Sequence, residues 1–219
     1  IEKLFEPVKD LLHIISEGGS LIFQKEECIY SQILQKEVCR QIIDDARKIE
    51  PCDILVCGKK HAYATSEDSE MYRWISDSYG FDIQAVGDLQ KNISDDIVKI
   101  SLYHHNMVEQ LTKDWFRPKW ENKVRLNLAG IQWLDCVPKE AGKGTAVAFV
   151  QGHLQITPEE TCVFGDNEND IVMMQRAKYS FAVANAREEV KRAASRECGP
   201  YWEDGVLTQL KKIVSQQEK

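Results

Sequence analysis

The sequence contains no hydrophobic run approaching the roughly 20 residues that a membrane-spanning helix requires. Its longest apolar stretches, such as residues 146–150, are far shorter, and we therefore expect no membrane association. Basic residues are fewer than acidic ones. The sequence has 28 Lys and Arg against 35 Asp and Glu, which gives a formal net charge of −7. A surface of that sign repels a phosphate backbone, so the composition argues against a nucleic-acid partner.

A disulfide framework is also not expected. The seven cysteines include no CxxC pair, follow no regular spacing and are odd in number. This pattern favours a reducing, cytoplasmic location. Most of the cysteines, among them Cys57 and Cys162, lie inside apolar runs, where we expect them to be small buried hydrophobes.

The order of helical and strand patterns changes twice along the chain. The N-terminal segment predicts a helix at 1–11 and strands at 13–16 and 21–23. The middle block predicts helices at 31–50, 67–79 and 106–115, and largely antiparallel strands at 53–65, 97–103 and 124–129. The last third predicts helices at 143–151, 170–176, 188–195 (capped by Asn185) and 206–214, with short buried strands at 161–164 and 179–183.

Short apolar strands that alternate with helices are typical of a buried parallel sheet. We therefore predict an α/β protein whose core is a doubly wound, Rossmann-like parallel sheet, interrupted in sequence by an α+β domain. The predicted boundaries are residues 1–30 for an incomplete first part of the core, 31–131 for the inserted domain and 132–219 for the second part of the core.

The strongest chemical signal follows the predicted strand at 161–164, in the segment Gly165-Asp166-Asn167-Glu168-Asn169-Asp170. Ligands of open α/β sheets bind beyond the carboxyl ends of strands. Oxygens of Asp166 and Asp170 are suited to a hard cation such as Mg²⁺. Asn169 and the amides of the following helix are suited to an anion. The competing interpretation is an Asx turn that caps a helix, although five polar residues in six are more than a cap needs.

A second signal is Lys143, which stands between Gly142 and Gly144 at the start of a predicted helix. A lysine beside free helix amides is suited to neutralise a phosphate. On its own such a lysine is usually just solvated. Together with an acidic turn 23 residues later, it gives the equipment for phosphoryl transfer, which is a cation for the phosphate and carboxylates for a metal.

These segments together resemble the Cof-type, subfamily IIB branch of the haloacid dehalogenase-like (HAD) hydrolases. The resemblance rests on motifs at both ends of the chain, namely 15–23, Lys143-Gly144, Gly165-Asp166, Asn169-Asp170, Asn185-Ala186 and Asp204-Gly205-Val206. It implies a Mg²⁺-dependent phosphatase that acts on a small phosphorylated metabolite, such as a sugar phosphate, through an aspartyl phosphate. It also implies that the inserted domain is a cap that excludes water and selects the substrate.

The resemblance assigns roles to four residues. Lys143 is the catalytic, phosphate-stabilising lysine, and Asn169 is a second phosphate contact. Asp166 is a metal ligand, and Asp170 supports the metal shell. At Gly18 the sequence departs from the family, which often has Asn there.

Two features of the family are missing from these 219 residues. No DxD motif precedes residue 23, and no threonine precedes Thr65, so the nucleophile and the second motif are absent. We interpret the sequence as part of a longer enzyme. The alternatives are a noncatalytic phosphometabolite-binding protein and, from another branch of the fold, a phosphosugar mutase. Of the remaining candidates for specificity, we expect His104 and His105 to be surface residues and Trp133 to be a core residue.

Overall fold

The computed structural model describes residues 5–80, 82–106 and 108–217. The chain divides into two compact units, residues 1–141 and residues 142–219. Within the described ranges, no helix combines the length and the apolar character needed to cross a bilayer.

The first unit is built on two sheets. A small antiparallel sheet has the order β1-β2-β3, and a six-stranded sheet has the order β6-β5-β4-β7-β9-β8. The strands are β1 (His13–Ser16), β2 (Leu21–Gln24), β3 (Glu27–Ser31), β4 (Asp53–Gly58), β5 (Ala62–Ala64), β6 (Ile83–Ala85), β7 (Ile97–Tyr103), β8 (Val124–Ala129) and β9 (Trp133–Pro138). All neighbours in the larger sheet are antiparallel except β5 and β6.

Helices cover the six-stranded sheet on both faces. They are α1 (Lys36–Ala46), α2 (Glu70–Tyr79), α3 (Val108–Leu111) and α4 (Arg117–Trp120), the last two joined by a π-helical turn at Thr112–Phe116. One face packs against α1 and the α3–α4 segment, where Phe116 and Trp120 are fully buried. The other face packs against Met71 and Ile75 of α2 and against Leu21 of β2. The small sheet therefore shares a hydrophobic core with the larger one.

The second unit contains the predicted parallel sheet. Its strands are β10 (Cys162–Gly165), β11 (Tyr179–Val183) and β12 (Arg196–Cys198), in that order and all parallel. The helices are α5 (Lys143–Leu154), α6 (Ile171–Met174), α7 (Glu188–Ala193) and α8 (Gly205–Gln217). Strands alternate with helices along the chain, as expected for parallel strands joined by crossovers. The predicted α/β class with a parallel sheet is confirmed.

Most predicted elements are present. The predicted helix at 67–79 corresponds to α2, which begins where Ser69 Oγ accepts the N–H of Tyr72 at 3.0 Å and ends at Gly80 with φ +59°. The sequence reasoning missed β3, β6, β9 and β12. The helix predicted at 1–11 is a 3-10 helix over Glu6–Leu11, and residues 1–4 lie outside the described residues.

The prediction that Asn185 caps the helix at 188–195 is wrong. Arg187 is the N-cap residue of α7, and no side chain caps that terminus. The side-chain oxygen of Asn185 instead accepts the N–H of Tyr201 at 3.2 Å. The side chain of Asn185 therefore holds the segment that precedes α8 and does not cap α7.

The structure also places the strand β9 beside the predicted boundary at 131. This strand begins at Trp133, two residues beyond that boundary, and pairs with β7 and β8 in the six-stranded sheet. The three-part division of the chain itself stays a prediction.

Candidate functional site

The acidic turn lies directly after β10, as the sequence predicts. Gly165 is the last residue of β10, a 3-10 turn covers Glu168–Asp170, and α6 follows. A Cβ atom at Gly165 would lie 2.5 Å from the Cβ of Asp170. Only glycine therefore allows the side chain of Asp170 to fold back over the end of the strand.

The carboxylate of Asp170 joins three parts of this site. Its Oδ2 accepts the N–H groups of Asp166 and Asn167, each at 3.0 Å, and its Oδ1 accepts a hydrogen bond from Nζ of Lys143. Asp170 is buried, with 2% of its surface exposed. Because a buried carboxylate must be hydrogen-bonded to be tolerated, these contacts fix the turn and the lysine together.

Lys143 reaches Asp170 because α5 packs closely on α6. The next residue, Gly144, lies so near the carbonyl oxygen of Val172 that a Cβ atom there would be 2.5 Å away. The whole side chain of Lys143 is 36% exposed. The N-cap residue of α5 is Gly142, which has no side chain to cap the helix, so the first amides of α5 and the lysine present positive charge together.

Asp166 has a different environment from Asp170. Its side chain is exposed, while its backbone carbonyl accepts the N–H of Arg187 at 3.1 Å. The guanidinium of Arg187 pairs with Glu168 at 3.3 Å. The turn after β10 is thus tied to the segment after β11. Sequence reasoning missed Arg187, and the only signal for it was its place two residues after Asn185.

The two asparagines of the turn, Asn167 and Asn169, differ in their hydrogen bonds. Asn167 caps the 3-10 turn, since its side chain accepts the N–H of Glu168 at 2.9 Å. The capping interpretation of the segment is therefore correct for Asn167 and for the carboxylate of Asp170. Asn169 is different, because its Oδ1 is buried and has no hydrogen-bond partner among the described residues. A buried acceptor without a protein donor is open to a water molecule, a ligand or a cation.

The side chains fit a magnesium ion in part. The carboxylate of Asp166 and the Oδ1 of Asn169 are oxygen ligands of the kind that Mg²⁺ prefers, and Mg²⁺ often takes only one or two carboxylates from a protein. Both oxygens of Asp170 already accept hydrogen bonds, which suits a supporting role behind the metal. Among the described residues, no group of three or more His, Cys, Asp or Glu is placed to hold a metal ion.

The expectation that His104 is a surface residue is wrong, because His104 is buried. Its Nδ1 accepts the N–H of Asn106 at 3.2 Å. Trp133 is half-buried and His105 is partly exposed.

Comparison with known proteins gives matches over nearly the whole chain. A solved structure from Eubacterium rectale is 36% identical, has a TM-score of 0.84 and covers 97% of this chain and 80% of that one. The 5-amino-6-(5-phospho-D-ribitylamino)uracil phosphatase YbjI of Escherichia coli (strain K12) is 23% identical over 211 residues, which are 96% of this chain and 77% of that protein. A structure described as a HAD subclass IIB sugar phosphatase shares the fold, with 20% identity, a TM-score of 0.78 and coverage of 95% and 79%.

The family assignment rests on the whole length of the sequence. The profile of the haloacid dehalogenase-like hydrolases matches residues 1–210. This match spans both units, and the solved structures that resemble the chain share its fold. The resemblance inferred from Lys143 and the turn at 165–170 is therefore confirmed, and the chain belongs to the haloacid dehalogenase-like hydrolase family.

Proposed function

We propose that the protein is a phosphoric monoester hydrolase, a magnesium-dependent phosphatase of a small phosphorylated metabolite such as a sugar phosphate. In this proposal the reaction passes through an aspartyl phosphate, whose aspartate nucleophile is not among these 219 residues. The bond between Lys143 and Asp170 carries the proposal. This hydrogen bond holds the ammonium of Lys143 beside the turn at the end of β10, where ligands of parallel sheets bind.

Phosphate binding falls to Lys143, Asn169 and the start of α5. The ammonium of Lys143 is held by one buried carboxylate and keeps part of its surface open to a ligand. The uncapped amides of α5 add donors and a favourable dipole. The side-chain amide of Asn169 would add an N–H donor to a phosphate oxygen. Preorganised positive groups of this kind stabilise the charge of a transferring phosphoryl group.

Magnesium would be held by Asp166, and Asp170 would position that carboxylate through the backbone. The two N–H bonds that Asp170 accepts fix the peptide groups of residues 166 and 167, and the Asp166 side chain projects from this fixed turn. When bound, the cation would neutralise phosphate charge.

The relatives support this proposal through their own descriptions, since one is named a phosphatase and another a sugar phosphatase. We also propose that residues 31–131 act as a cap that selects the substrate, with residues 1–30 and 132–219 contributing the core. A cytoplasmic location, suggested by the cysteine pattern, completes the proposal.

The test is a comparison of two carboxylate variants in a phosphate-release assay with Mg²⁺, made in a form of the protein that includes the family's nucleophile. Asp166→Asn removes the proposed ligand charge, and turnover should fall by about 100-fold or more. Glu159→Gln changes an exposed carboxylate in the turn before β10 and should leave turnover within about twofold. Equal turnover of Asp166→Asn and the wild type would refute the metal assignment.

The alternatives give different results in the same assay. A noncatalytic binding protein would be stabilised against heat by a phosphorylated ligand and would release no phosphate. A phosphosugar mutase would convert a phosphosugar into its isomer. Free phosphate as the sole product, dependent on Mg²⁺, supports the phosphatase.

A further inference from the structure

A cavity of about 200 Å³ lies on the face of the six-stranded sheet that α1 covers. Val56 of β4 and Ile97 of β7 line its sheet side, and its walls come from α1 and from the segment that joins β6 to β7. Because a water molecule occupies about 30 Å³ of the liquid, the cavity has room for about six or seven heavy atoms. All residues that line it belong to the first unit, whereas Lys143 and the acidic turn belong to the second.

The walls of the cavity are held together by hydrogen bonds of Gln90. Its Nε2 donates to the carbonyl oxygen of Arg40 at 3.0 Å and to Oδ1 of Asp44 at 2.8 Å. Its backbone N–H donates to Oδ1 of Asp88 at 3.0 Å. The segment after β6 is thus fastened to α1, so the cavity is formed before any ligand binds, as is usual for small-molecule sites.

Three cations line this cavity. Lys36 and Arg40 lie four residues apart on α1, and both are exposed. Among the described residues, neither of their charged groups forms an ion pair with a carboxylate. Like charges at this helical spacing repel each other, so an anion held between them would relieve the repulsion. The third cation, Lys91, pairs with Asp88 at 3.3 Å and has a side chain that is 82% exposed.

Asp95 also lines the cavity, but its carboxylate is already occupied. Its Oδ2 accepts the N–H of Lys60 at 2.8 Å and the hydroxyl of Tyr63 at 3.2 Å, and its Oδ1 accepts the N–H of Asp96 at 2.8 Å. Burial alone would raise the pKa of Asp95, but these hydrogen bonds hold that pKa below its usual value. The charged groups that remain available to a ligand are the three cations, which favour an anion.

The apolar part of the lining is aliphatic, apart from one thiol. Such a surface suits a flexible alkyl chain, whereas a flat ring gains more from aromatic walls. The side chains that form it are Cys39, Ile43, Val56, Leu89, Ile93 and Ile97.

We propose that this cavity binds a short aliphatic carboxylate with a chain of about six carbons. The alkyl chain packs against Val56, Leu89 and Ile97, where it is removed from water. The carboxylate lies at the mouth of the cavity and accepts hydrogen bonds from Arg40 and Lys36. This site is separate from the proposed hydrolysis and does not depend on phosphate release.

Binding is tested by calorimetric titration of the purified protein with three probes. Hexanoate carries both the charge and the alkyl chain, acetate carries the charge alone, and hexanol carries the chain alone. Hexanoate should bind saturably and about tenfold or more tightly than either of the other probes. Its affinity should fall as the salt concentration rises, because the cations at the mouth are exposed.

Variants then place hexanoate in this cavity. Arg40→Gln should weaken its binding by about tenfold or more, because it removes a charged donor. Arg117→Gln makes the same change at an exposed position of α4 outside the cavity and should bind as the wild type does. Ile93→Phe places a larger side chain in the cavity and should also weaken binding.

Circular dichroism shows whether each variant is folded. If Arg40→Gln is not, Lys36→Met provides the second charge variant, with the same expected loss. The proposal is overturned if hexanoate gives no saturable binding, if acetate or hexanol binds as tightly as hexanoate, or if a folded Arg40→Gln or Lys36→Met variant binds hexanoate with unchanged affinity.

Discussion

The ammonium of Lys143 donates a hydrogen bond to Oδ1 of Asp170, while Oδ2 of the same carboxylate accepts the N–H groups of Asp166 and Asn167. One buried carboxylate thus links the first residue of α5 to the turn after β10. Both carboxylate oxygens of Asp170 already accept hydrogen bonds from the protein, so we expect Asp170 to position these neighbours and not to bind a ligand directly. The residues that remain available to a ligand are Lys143, Asp166 and Asn169.

This arrangement predicts a graded response to substitution of Asp170. Asp170→Ala removes the partner of three donors and should lower the free energy of unfolding by about 2–4 kcal/mol. Asp170→Asn keeps an oxygen for the backbone amides and loses the ion pair, so its loss should be about 1–2 kcal/mol, discounted because Lys143 is partly exposed. Urea denaturation measures both values. Equal stability of Asp170→Ala and the wild type would contradict the linking role.

Two glycines of the same helix predict opposite effects of alanine. A Cβ atom at Gly144 would lie 2.5 Å from the carbonyl oxygen of Val172, whereas a Cβ atom at Gly152 would meet nothing within 4 Å. Gly144→Ala should therefore destabilise the protein by about 1–3 kcal/mol. Gly152→Ala should stabilise it by about 0.5–1 kcal/mol through helix propensity.

Thermal or urea unfolding of the two glycine variants gives the comparison. Because both substitutions lie in α5, a difference in sign isolates the packing of α5 on α6. Stabilisation by both substitutions would contradict the close packing of Gly144 on Val172.

The buried carboxylate of Asp45 predicts a pH dependence of stability. Burial alone would raise the pKa of Asp45, but hydrogen bonds from Lys119, Lys48 and Trp120 hold it below its usual value. A carboxyl with a lowered pKa in the folded state stabilises the protein above the pKa of the unfolded state, about 3.9. That contribution is lost as the pH falls through the folded-state pKa.

The measurement is the free energy of unfolding of the wild type and of Asp45→Asn as a function of pH. The two curves should differ most above pH ~4 and converge as the pH falls below that value. The exposed neighbour Asp44 provides the control, and Asp44→Asn should change stability by less than about 0.5 kcal/mol. A constant gap between wild type and Asp45→Asn down to low pH would refute this explanation.

The sequence predicted those parts of the fold that have a strong local signal. The continuous apolar strand before Gly165 and the glycine-flanked start of α5 were both found, because buried parallel strands and helix termini leave a clear pattern. The acidic turn was found for the same reason. Its close approach to Lys143 follows from tertiary packing at Gly144, and no local pattern shows that contact.

Most of the elements that sequence reasoning missed are short or polar. Strand β12 has the sequence Arg-Glu-Cys and gains its structure by pairing with β11. Strand β9 was missed although Gly130, with φ +70°, marks a turn between two strands that pair with each other. The ion pair between Lys99 and Glu17, 2.8 Å long, was also not predicted, because the two residues are far apart in sequence.

The most direct test of the central claim uses the purified protein in a form that includes the family's nucleophile, and measures phosphate release from p-nitrophenyl phosphate, with Mg²⁺ and then with EDTA. If Lys143, Asp166 and Asn169 form a phosphatase site, release should saturate with substrate, require Mg²⁺ and disappear in Lys143→Met. Lys139→Met, which changes an exposed lysine just before α5, should retain turnover. Absence of release from the folded protein, or release that is unaffected by EDTA and by Lys143→Met, would contradict the claim.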